Sequence, residues 1–339
     1  MKNILPALLM TVGGLFTSSA VWGQVETERM NIRLKDGTTQ SVNVSAVKEI
    51  SFGAQAQDAQ FEITCPELYE YYAKLSIAPK DKNATYNLMY ADKEDFDQYA
   101  SVEDAVKGDL QYFQEMADYY GMPLEEVLSY YLLQGDYSSY MSDLKPGRQY
   151  VVWVYGMDGK GKLTTPVETL TVTTPTVQSI SQQPAMETAM DGTNLSLTIT
   201  PDNNERRCMS YLVEKRYVED VNDLKDMAQE ALVDRAMDYL YEGMDESTVL
   251  DNLTWTGTNT TQFVGLTPHT EYYAVSAYVN DHFAIISPVT WELVTAGDAS
   301  ATAVSPSKAA IMYKPHAAKS PAKMSVKRHT LKRRVPFAE

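Results

Sequence analysis

The chain has 339 residues and a formal net charge of −16 at pH 7. This length accommodates about two domains of ordinary size, each large enough to bury its own core. An acidic chain of this kind disfavours nucleic-acid binding. The presence of only two cysteines, Cys65 and Cys208, excludes a small disulfide-rich scaffold.

Residues 1–23 have the three regions of a secretory signal peptide. Lys2 precedes an apolar run at 4–16, and small residues follow up to Gly23. The run has about 13 residues, whereas a membrane-spanning helix needs about 20. We therefore expect cleavage after Ala20 or Gly23 and export through the inner membrane. No cysteine stands there to carry a lipid, so the sequence predicts a mature protein in the periplasm, on the outer-membrane surface or outside the cell.

Residues 24–58 are predicted to form a β-hairpin followed by a linker. Ile32 and Leu34 alternate with polar residues, Asp36-Gly37 is a strong turn signal, and the alternation then resumes. The small polar residues 53–58 are typical of a linker. The hairpin resembles the short strand-turn-strand leader of many exported proteins from Bacteroidetes bacteria, which implies an origin of that type.

The remaining chain contains a tandem duplication. One seven-residue pattern occurs twice at an offset of 122 residues, first as Leu144, Pro146 and Tyr150 and then as Leu266, Pro268 and Tyr272. Other pairs keep this offset over about a hundred residues, which is too long for a solenoid turn and fits two whole domains. We predict a first domain at 59–175 and a second at 176–297.

Each repeat changes from strand to helix patterns and back. In the first repeat, strand alternation precedes a capping pattern at Ser101, after which Val106, Phe113 and Ala117 recur at helical spacing up to Gly121. The second repeat follows the same plan. We predict helical inserts of about two helices each, at 94–134 and at 221–254.

The duplicated pattern has the form of a tyrosine corner, in which a tyrosine hydroxyl bonds back to the preceding turn of a β-sandwich. Together with the Pro-Val strand that follows, both copies resemble the fibronectin type III family. The resemblance implies a mainly β fold of two tandem sandwiches and a structural role for Tyr150 and Tyr272. Ordinary members lack the helical inserts, so we expect trimmed sandwiches of six or seven strands and transfer no function from the family.

Residues 298–339 are predicted to be a disordered basic tail. From Ala299 onward the chain has nine Lys or Arg and one acid, so this part carries +8 and, since the total is −16, the residues before it carry −24. The tail is interpreted either as a solvated end or as an electrostatic contact to an anionic membrane surface or polysaccharide. Cys65 and Cys208 occupy non-equivalent positions of the repeats, which favours two buried thiols over a bridge.

The sequence contains no recognisable catalytic or metal-binding pattern. The folded part has two histidines, His269 and His282, and none of the spacings of a hydrolase triad or a zinc protease. Its many carboxylates include no pair singled out by position. Residues 201–205 are the nearest candidate for calcium, and their composition favours an exposed turn. We predict a non-enzymatic protein without cofactor or metal.

Tyrosines are concentrated in the first repeat, at positions 69, 71, 72, 112, 119, 120, 130, 131, 137 and 140. They are interpreted either as rings that pack helices onto the sheet, as helical spacing favours for Tyr119 and Tyr131, or as an exposed contact surface. The second repeat has Glu242 and Asn252 at the positions of Tyr120 and Tyr130. Tyr120 and Tyr130 are therefore the candidate binding residues.

Three functional hypotheses follow. The first is a non-catalytic exported or cell-surface protein that binds a protein or a glycan; its ligand and oligomeric state are open. The second is a structural spacer, and the third is an accessory component of an outer-membrane glycan-uptake system.

Overall fold

The computed structural model describes residues 29–33, 39–43, 59–298, 305–313 and 329–330. The chain divides into two units, Met1–Gln57 and Asp58–Glu339. In the first unit, β1 (Arg29–Arg33) and β2 (Thr39–Asn43) pair in antiparallel fashion. These strands lie on either side of the predicted Asp36-Gly37 turn. That turn, the signal peptide and the linker at 53–58 lie outside the described residues.

The second unit contains two domains with the same succession of elements. The strands of the first domain are β3 (Phe61–Leu68), β4 (Ala73–Pro79), β5 (Thr85–Asp92), β6 (Leu133–Gln134), β7 (Tyr137–Met141), β8 (Gln149–Gly156) and β9 (Glu168–Thr173). Three helices between β5 and β6 form the first insert: α1 (Lys93–Phe96), α2 (Val102–Tyr120) and α3 (Leu124–Tyr131).

The second domain repeats this order. Its strands are β10 (Ala185–Asp191), β11 (Asn194–Thr200), β12 (Arg207–Glu214), β13 (Trp255–Thr256), β14 (Asn259–Phe263), β15 (Glu271–Val279) and β16 (Thr290–Thr295). The second insert, between β12 and β13, has 3-10 turns at Lys215–Tyr217 and Val221–Asp223 and the helices α4 (Leu224–Tyr241) and α5 (Glu246–Leu253).

The strands of each domain form two facing antiparallel sheets. The first domain has the sheets β3-β4-β7 and β6-β5-β8-β9, and the second has β10-β11-β14 and β13-β12-β15-β16. Each domain is thus a seven-strand sandwich with the same strand order and a helical insert after its third strand. The predicted fold class, two fibronectin type III-like sandwiches with helical insertions, is confirmed.

Each domain has three layers because its larger sheet is covered on both faces. One face of β8 packs against the smaller sheet through Val152 and Val154. The other face carries Trp153, which packs with Phe113 and Ala117 of α2. Every residue of β8 after Gln149 is consequently buried, and this two-sided burial explains the nearly continuous apolar run of the strand.

Local signals in the sequence set the limits of α2. The Ser101 hydroxyl accepts a hydrogen bond from Asp104 N at 3.2 Å. At the other end Gly121 takes a left-handed conformation with φ 64°, and Met122 N donates to Ala117 O at 2.9 Å. The predicted first helix is confirmed. The predicted limits of the insert shift slightly, since Lys93 begins α1 and Leu133–Gln134 form a strand.

The tail departs from its predicted disorder. Residues 305–313, here called the strap, contain strand β17 (Ala310–Met312), which pairs in parallel with β12. Ile311 is 5% exposed and packs in the layer of the second insert. Strand β18 (His329–Thr330) pairs antiparallel with β5. Strands of two and three residues are too short for a periodic signal, which is why the sequence did not indicate them; the rest of the tail after Asp298 lies outside the described residues.

Candidate functional site

The two predicted corner tyrosines are structural. Lys145 N donates to the Tyr150 hydroxyl at 2.7 Å, and Thr267 N donates to the Tyr272 hydroxyl at 3.1 Å. Both rings are buried. The leucines that open the two motifs, Leu144 and Leu266, are buried as well, whereas Pro146 is half-buried and Pro268 exposed. The buried leucines and tyrosines hold the turn at the crossover between the two sheets.

The joint between the two domains is built from the β3–β4 loop of the first domain. Tyr72 in this loop is fully buried, lies 5.9 Å from Phe283 of the second domain, and donates its hydroxyl to Glu246. Tyr69 stacks on His282 with ring centroids 3.8 Å apart. The sequence placed these tyrosines in the first repeat and did not indicate the joint.

Polar contacts add specificity to the joint. Asn280 Nδ2 donates to Glu70 at 3.0 Å, and His282 Nδ1 lies 3.1 Å from Glu246. Tyr241 at the end of α4 donates its hydroxyl to the Tyr140 carbonyl at 3.0 Å. A comparison of the repeats contained the signal for this joint, because the first repeat has an aromatic run at 69–72 where the second has Asp191-Gly-Thr-Asn194.

Helix α2 of the first insert ends in an exposed aromatic pair. Tyr119 is 62% exposed and Tyr120 is 36% exposed, with ring centroids 5.0 Å apart and planes nearly perpendicular. The expectation that Tyr119 belongs to the core is wrong: it follows the buried Ala117 by two residues, about 200° around a helix of 3.6 residues per turn. Tyr130 is half-buried. Tyr131 packs on Phe113 at 5.3 Å, as its helical spacing predicted.

The same helix position has different surroundings in the two repeats. Tyr241, the counterpart of Tyr119, contacts Tyr140 of the preceding domain. The apolar cluster beneath the first insert, by contrast, contains only residues of the first domain. A position that packs against a neighbouring domain in one repeat is therefore solvent-exposed in the other.

A second exposed aromatic residue lies on the edge strand β16. Trp291 is 44% exposed and Leu293 is 38% exposed on one face of this strand, and Trp291 contacts Tyr273 edge-on at 5.5 Å. The first repeat has Thr169 and Thr171 at these positions. The sequence analysis did not single out this patch, although the substitution of threonines by Trp and Leu between the repeats indicates it.

The buried carboxylate Asp109 anchors α2 to the sheet. It is fully buried and accepts hydrogen bonds from Trp153 Nε1 at 2.7 Å and the Tyr155 hydroxyl at 3.0 Å. Asn87 Nδ2 in turn donates to Tyr155 at 2.9 Å. Because this network lies between helix and sheet without solvent access, it stabilises the packing of the insert and does not resemble an active site.

Cys65, Cys208, His269 and His282 lie in surroundings that the structure describes. Cys65 and Cys208 are free thiols, half-buried and buried respectively. Burial raises the pKa of the Cys65 thiol and raises the pKa of Cys208 to about 12, so neither is a ready nucleophile at neutral pH. His269 is exposed beside Asp298 at 3.3 Å, and His282 lies in the joint.

The candidate calcium loop is a closed polar turn. Asp202 accepts the Tyr278 hydroxyl at 2.7 Å and pairs with Arg206 at 2.9 Å, and these contacts lower the pKa of Asp202. Among the described residues there is no group of three or more His, Cys, Asp or Glu placed to hold a metal ion. Within the same residues, no helix has the length and apolar character to cross a membrane.

One surface depression among the described residues is shallow and open. Its volume is about 420 Å³, and it lies on the outer face of the β3-β4-β7 sheet, lined by Glu62, Thr64, Ser76, Asp136, Tyr137 and Ser138 among others. Small-molecule sites are enclosed and mostly apolar. This open depression does not have that form.

No protein-family profile matches the chain, and no curated protein matches it. Among solved structures, it is similar to the FN1–FN3 domains of chicken CNTN1 (TM-score 0.25, 11% identity, 80% of this chain and 77% of that one). It is also similar to the central fibronectin-III array of RIM-binding protein, with a TM-score of 0.21 and 8% identity over 70% of this chain and 68% of that one. A two-domain fibronectin type III segment of chicken tenascin has a TM-score of 0.20 and 12% identity, over 69% of this chain and 97% of that one. At these TM-scores the similarities carry no argument, and the fold rests on strand order and corner geometry.

Proposed function

We propose that this chain is a non-catalytic, exported binding protein that recognises a protein or a glycan through the C-terminal end of α2 in its first insert. The observation that carries the proposal is the solvent exposure of Tyr119 and Tyr120 at a helix end whose counterpart, Tyr241, contacts another domain. Tyrosine offers a large amphipathic contact area with little side-chain entropy to lose, and it is enriched at binding hot spots.

Tyr120 and Tyr130 remain in the proposed surface, and Tyr119 joins them. Tyr120 and Tyr130 are replaced by Glu242 and Asn252 in the second repeat, so the surface belongs to the first domain alone. The buried network around Asp109 fixes α2 on the sheet, which presents the aromatic pair from a rigid element. Rigid presentation reduces the entropy lost on binding.

A structural spacer, or an accessory component of a glycan-uptake system, is the second candidate. The domain joint favours it, because Tyr72 is fully buried and Glu70 is 8% exposed between the two domains. Packing of this kind resists bending between neighbouring sandwiches. In this case the aromatic pair would contribute nothing to function.

The proposal includes a location. The signal-peptide pattern at 1–23 and the Bacteroidetes-like leader support export to the periplasm, the outer-membrane surface or the exterior. The nine basic residues after Ala299 support an electrostatic contact with an anionic lipid or polysaccharide surface. Both remain predictions from sequence.

The test is a binding screen of the mature chain, residues 24–339, against panels of glycans and extracellular proteins. We expect a ligand whose binding is lost when Tyr119, Tyr120 and Tyr130 are changed to Ala. Trp291→Ala is the matched control, since it removes an exposed aromatic ring from the other domain. Hydrolysis of a polysaccharide at enzymatic rates would contradict the proposal, and unchanged binding by the triple variant would favour the spacer.

A further inference from the structure

The inserts leave one edge of each larger sheet with a very short neighbouring strand. β6 pairs only with Thr85–Tyr86 of β5, and β13 pairs only with Arg207–Cys208 of β12. Beyond such a short partner, a strand edge presents backbone N–H and C=O groups that accept an added strand. The third strand of both domains therefore has an edge suited to an extended segment.

In the second domain, the strap occupies this edge. Ala310–Met312 pair with Ser210, Tyr211 and Leu212, and Tyr313 N donates to the Leu212 carbonyl at 2.9 Å. The Ser210 hydroxyl donates to the Ala309 carbonyl at 2.9 Å. The chain thus supplies a strand to its own sheet.

In the first domain, the matching edge also takes a segment of the tail. His329 pairs with Tyr90 and Thr330 pairs with Met89. At the repeat offset of 122 residues, Met89 and Tyr90 correspond to Tyr211 and Leu212, the residues that pair with the strap. The two added strands differ in direction, parallel in the second domain and antiparallel in the first.

Acidic side chains lie on the insert beside the edge of the first domain. The first insert follows β5 directly, and α2 and α3 carry the exposed acids Glu103, Glu115, Asp118, Glu125 and Glu126. Between residues 102 and 131 the only basic residue is Lys107. The sequence around His329–Thr330 contains Lys327, Arg328, Lys332, Arg333 and Arg334. Opposite charges of this kind favour association and set its specificity.

We propose that the β5 edge beside the first insert is a docking site for an extended basic segment, and that the occupant is the end of this chain around His329–Thr330. The inference goes beyond the proposed function, because it assigns a ligand to a different surface. It gives the basic tail an intramolecular role, in which its backbone pairs with β5 and its charge complements the acidic first insert.

The experiment uses the full mature chain in four forms. His329→Pro and Thr330→Pro are made separately, because alternate N–H groups of a strand point to opposite sides and proline removes only its own. Ala338→Pro is the control outside the paired residues. The probe is a labelled peptide of residues 323–339, and its binding to each form is measured by fluorescence anisotropy.

We expect the peptide to bind at least one of the two proline variants about tenfold or more tightly than it binds the wild type or Ala338→Pro. The reason is that a tethered segment is present at an effective concentration on the order of millimolar and excludes the free peptide. Binding should weaken with added salt and with a peptide carrying Lys327→Glu and Arg328→Glu. Equal binding to all four chains, or no binding to either variant, would overturn the proposal.

Hydrogen exchange of the same four chains provides a second measurement. The amides of residues 88–91 in β5 should exchange faster in at least one of His329→Pro and Thr330→Pro than in the wild type and Ala338→Pro. The same exchange rate in all four forms would show that the tail does not cover this edge. Circular dichroism would verify that all four forms keep the same overall fold.

Discussion

Tyr72 of the first domain donates its hydroxyl to Glu246 at the start of α5 in the second domain. The ring itself is fully buried and belongs to the apolar cluster of the second insert. Burial and the neighbouring Glu246 raise the pKa of the Tyr72 hydroxyl, so it remains protonated and a donor. The cohesion of the two sandwiches thus depends on a side chain that one domain places into the other.

Replacing Tyr72 should uncouple the domains. Tyr72→Ala removes a fully buried ring and should lower the free energy of unfolding by about 3–5 kcal/mol. Tyr72→Phe keeps the ring and should cost about 1 kcal/mol for the lost hydrogen bond. Calorimetry should show one transition for the wild type and two for Tyr72→Ala. A single unchanged transition in Tyr72→Ala would contradict the coupling, and Tyr119→Ala is the exposed control.

The corner tyrosines should contribute to stability and not to binding. Tyr150→Phe and Tyr272→Phe each leave a backbone N–H, of Lys145 or Thr267, without its hydroxyl acceptor. Both hydrogen bonds are partly buried, so the loss of each should cost about 0.5–1.5 kcal/mol, which denaturant unfolding would measure. If either variant lost ligand binding while keeping its stability, the structural assignment of the corner would be wrong.

Removal of the strap should destabilise the second domain. A chain ending at Gly297 loses the strand that pairs with β12 and the buried side chain of Ile311, whose burial alone is worth about 1.5–3 kcal/mol. A chain ending at Lys314 keeps both and removes most of the basic residues. We expect a lower Tm for the first truncation than for the second. Equal Tm values would mean that the strap adds nothing.

Stability should decline in acid through the cap of α5. The Asp245 carboxylate accepts hydrogen bonds from the Thr248 hydroxyl, the Ser247 hydroxyl and Thr248 N, which lower the pKa of Asp245 to about 2. A pKa depressed on folding gives stability that is present above the unfolded value near pH 4 and is lost as the pH falls through 2.

Asp245→Asn tests this dependence. It retains a capping side chain but does not titrate, so its Tm should fall less than that of the wild type between pH 4 and pH 2. Asp245→Ala should have a lower Tm than the wild type at pH 7. Parallel pH profiles for the wild type and Asp245→Asn would contradict the assignment.

The sequence predicted what repetition and periodicity encode. The offset of 122 residues indicated two domains of one plan, and the spacing of Val106, Phe113 and Ala117 indicated α2. Contacts between segments that lie far apart in the chain could not be predicted from these patterns. Tyr72 is one of several tyrosines in the first repeat, and only the tertiary structure shows that it packs against the second domain.

The strap and the aromatic pair also could not be predicted from repetition and periodicity. Three residues are too few for strand alternation to be recognised, so the sequence did not indicate strand β17. Helical spacing favours a core position for Tyr119. In the structure Tyr119 lies beyond Ala117, the last buried residue of α2. A small shift in helical phase decides between a core residue and a surface residue.

The most direct test of the account measures the affinity of a ligand from the binding screen for three chains: wild type, Tyr119→Ala with Tyr120→Ala, and Trp291→Ala. The account predicts that the double variant binds at least tenfold more weakly, since hot-spot residues contribute more than about 1 kcal/mol each and 1.4 kcal/mol is about tenfold. Trp291→Ala should bind as the wild type does. Unchanged affinity in the double variant, with circular dichroism showing an intact fold, would contradict the account.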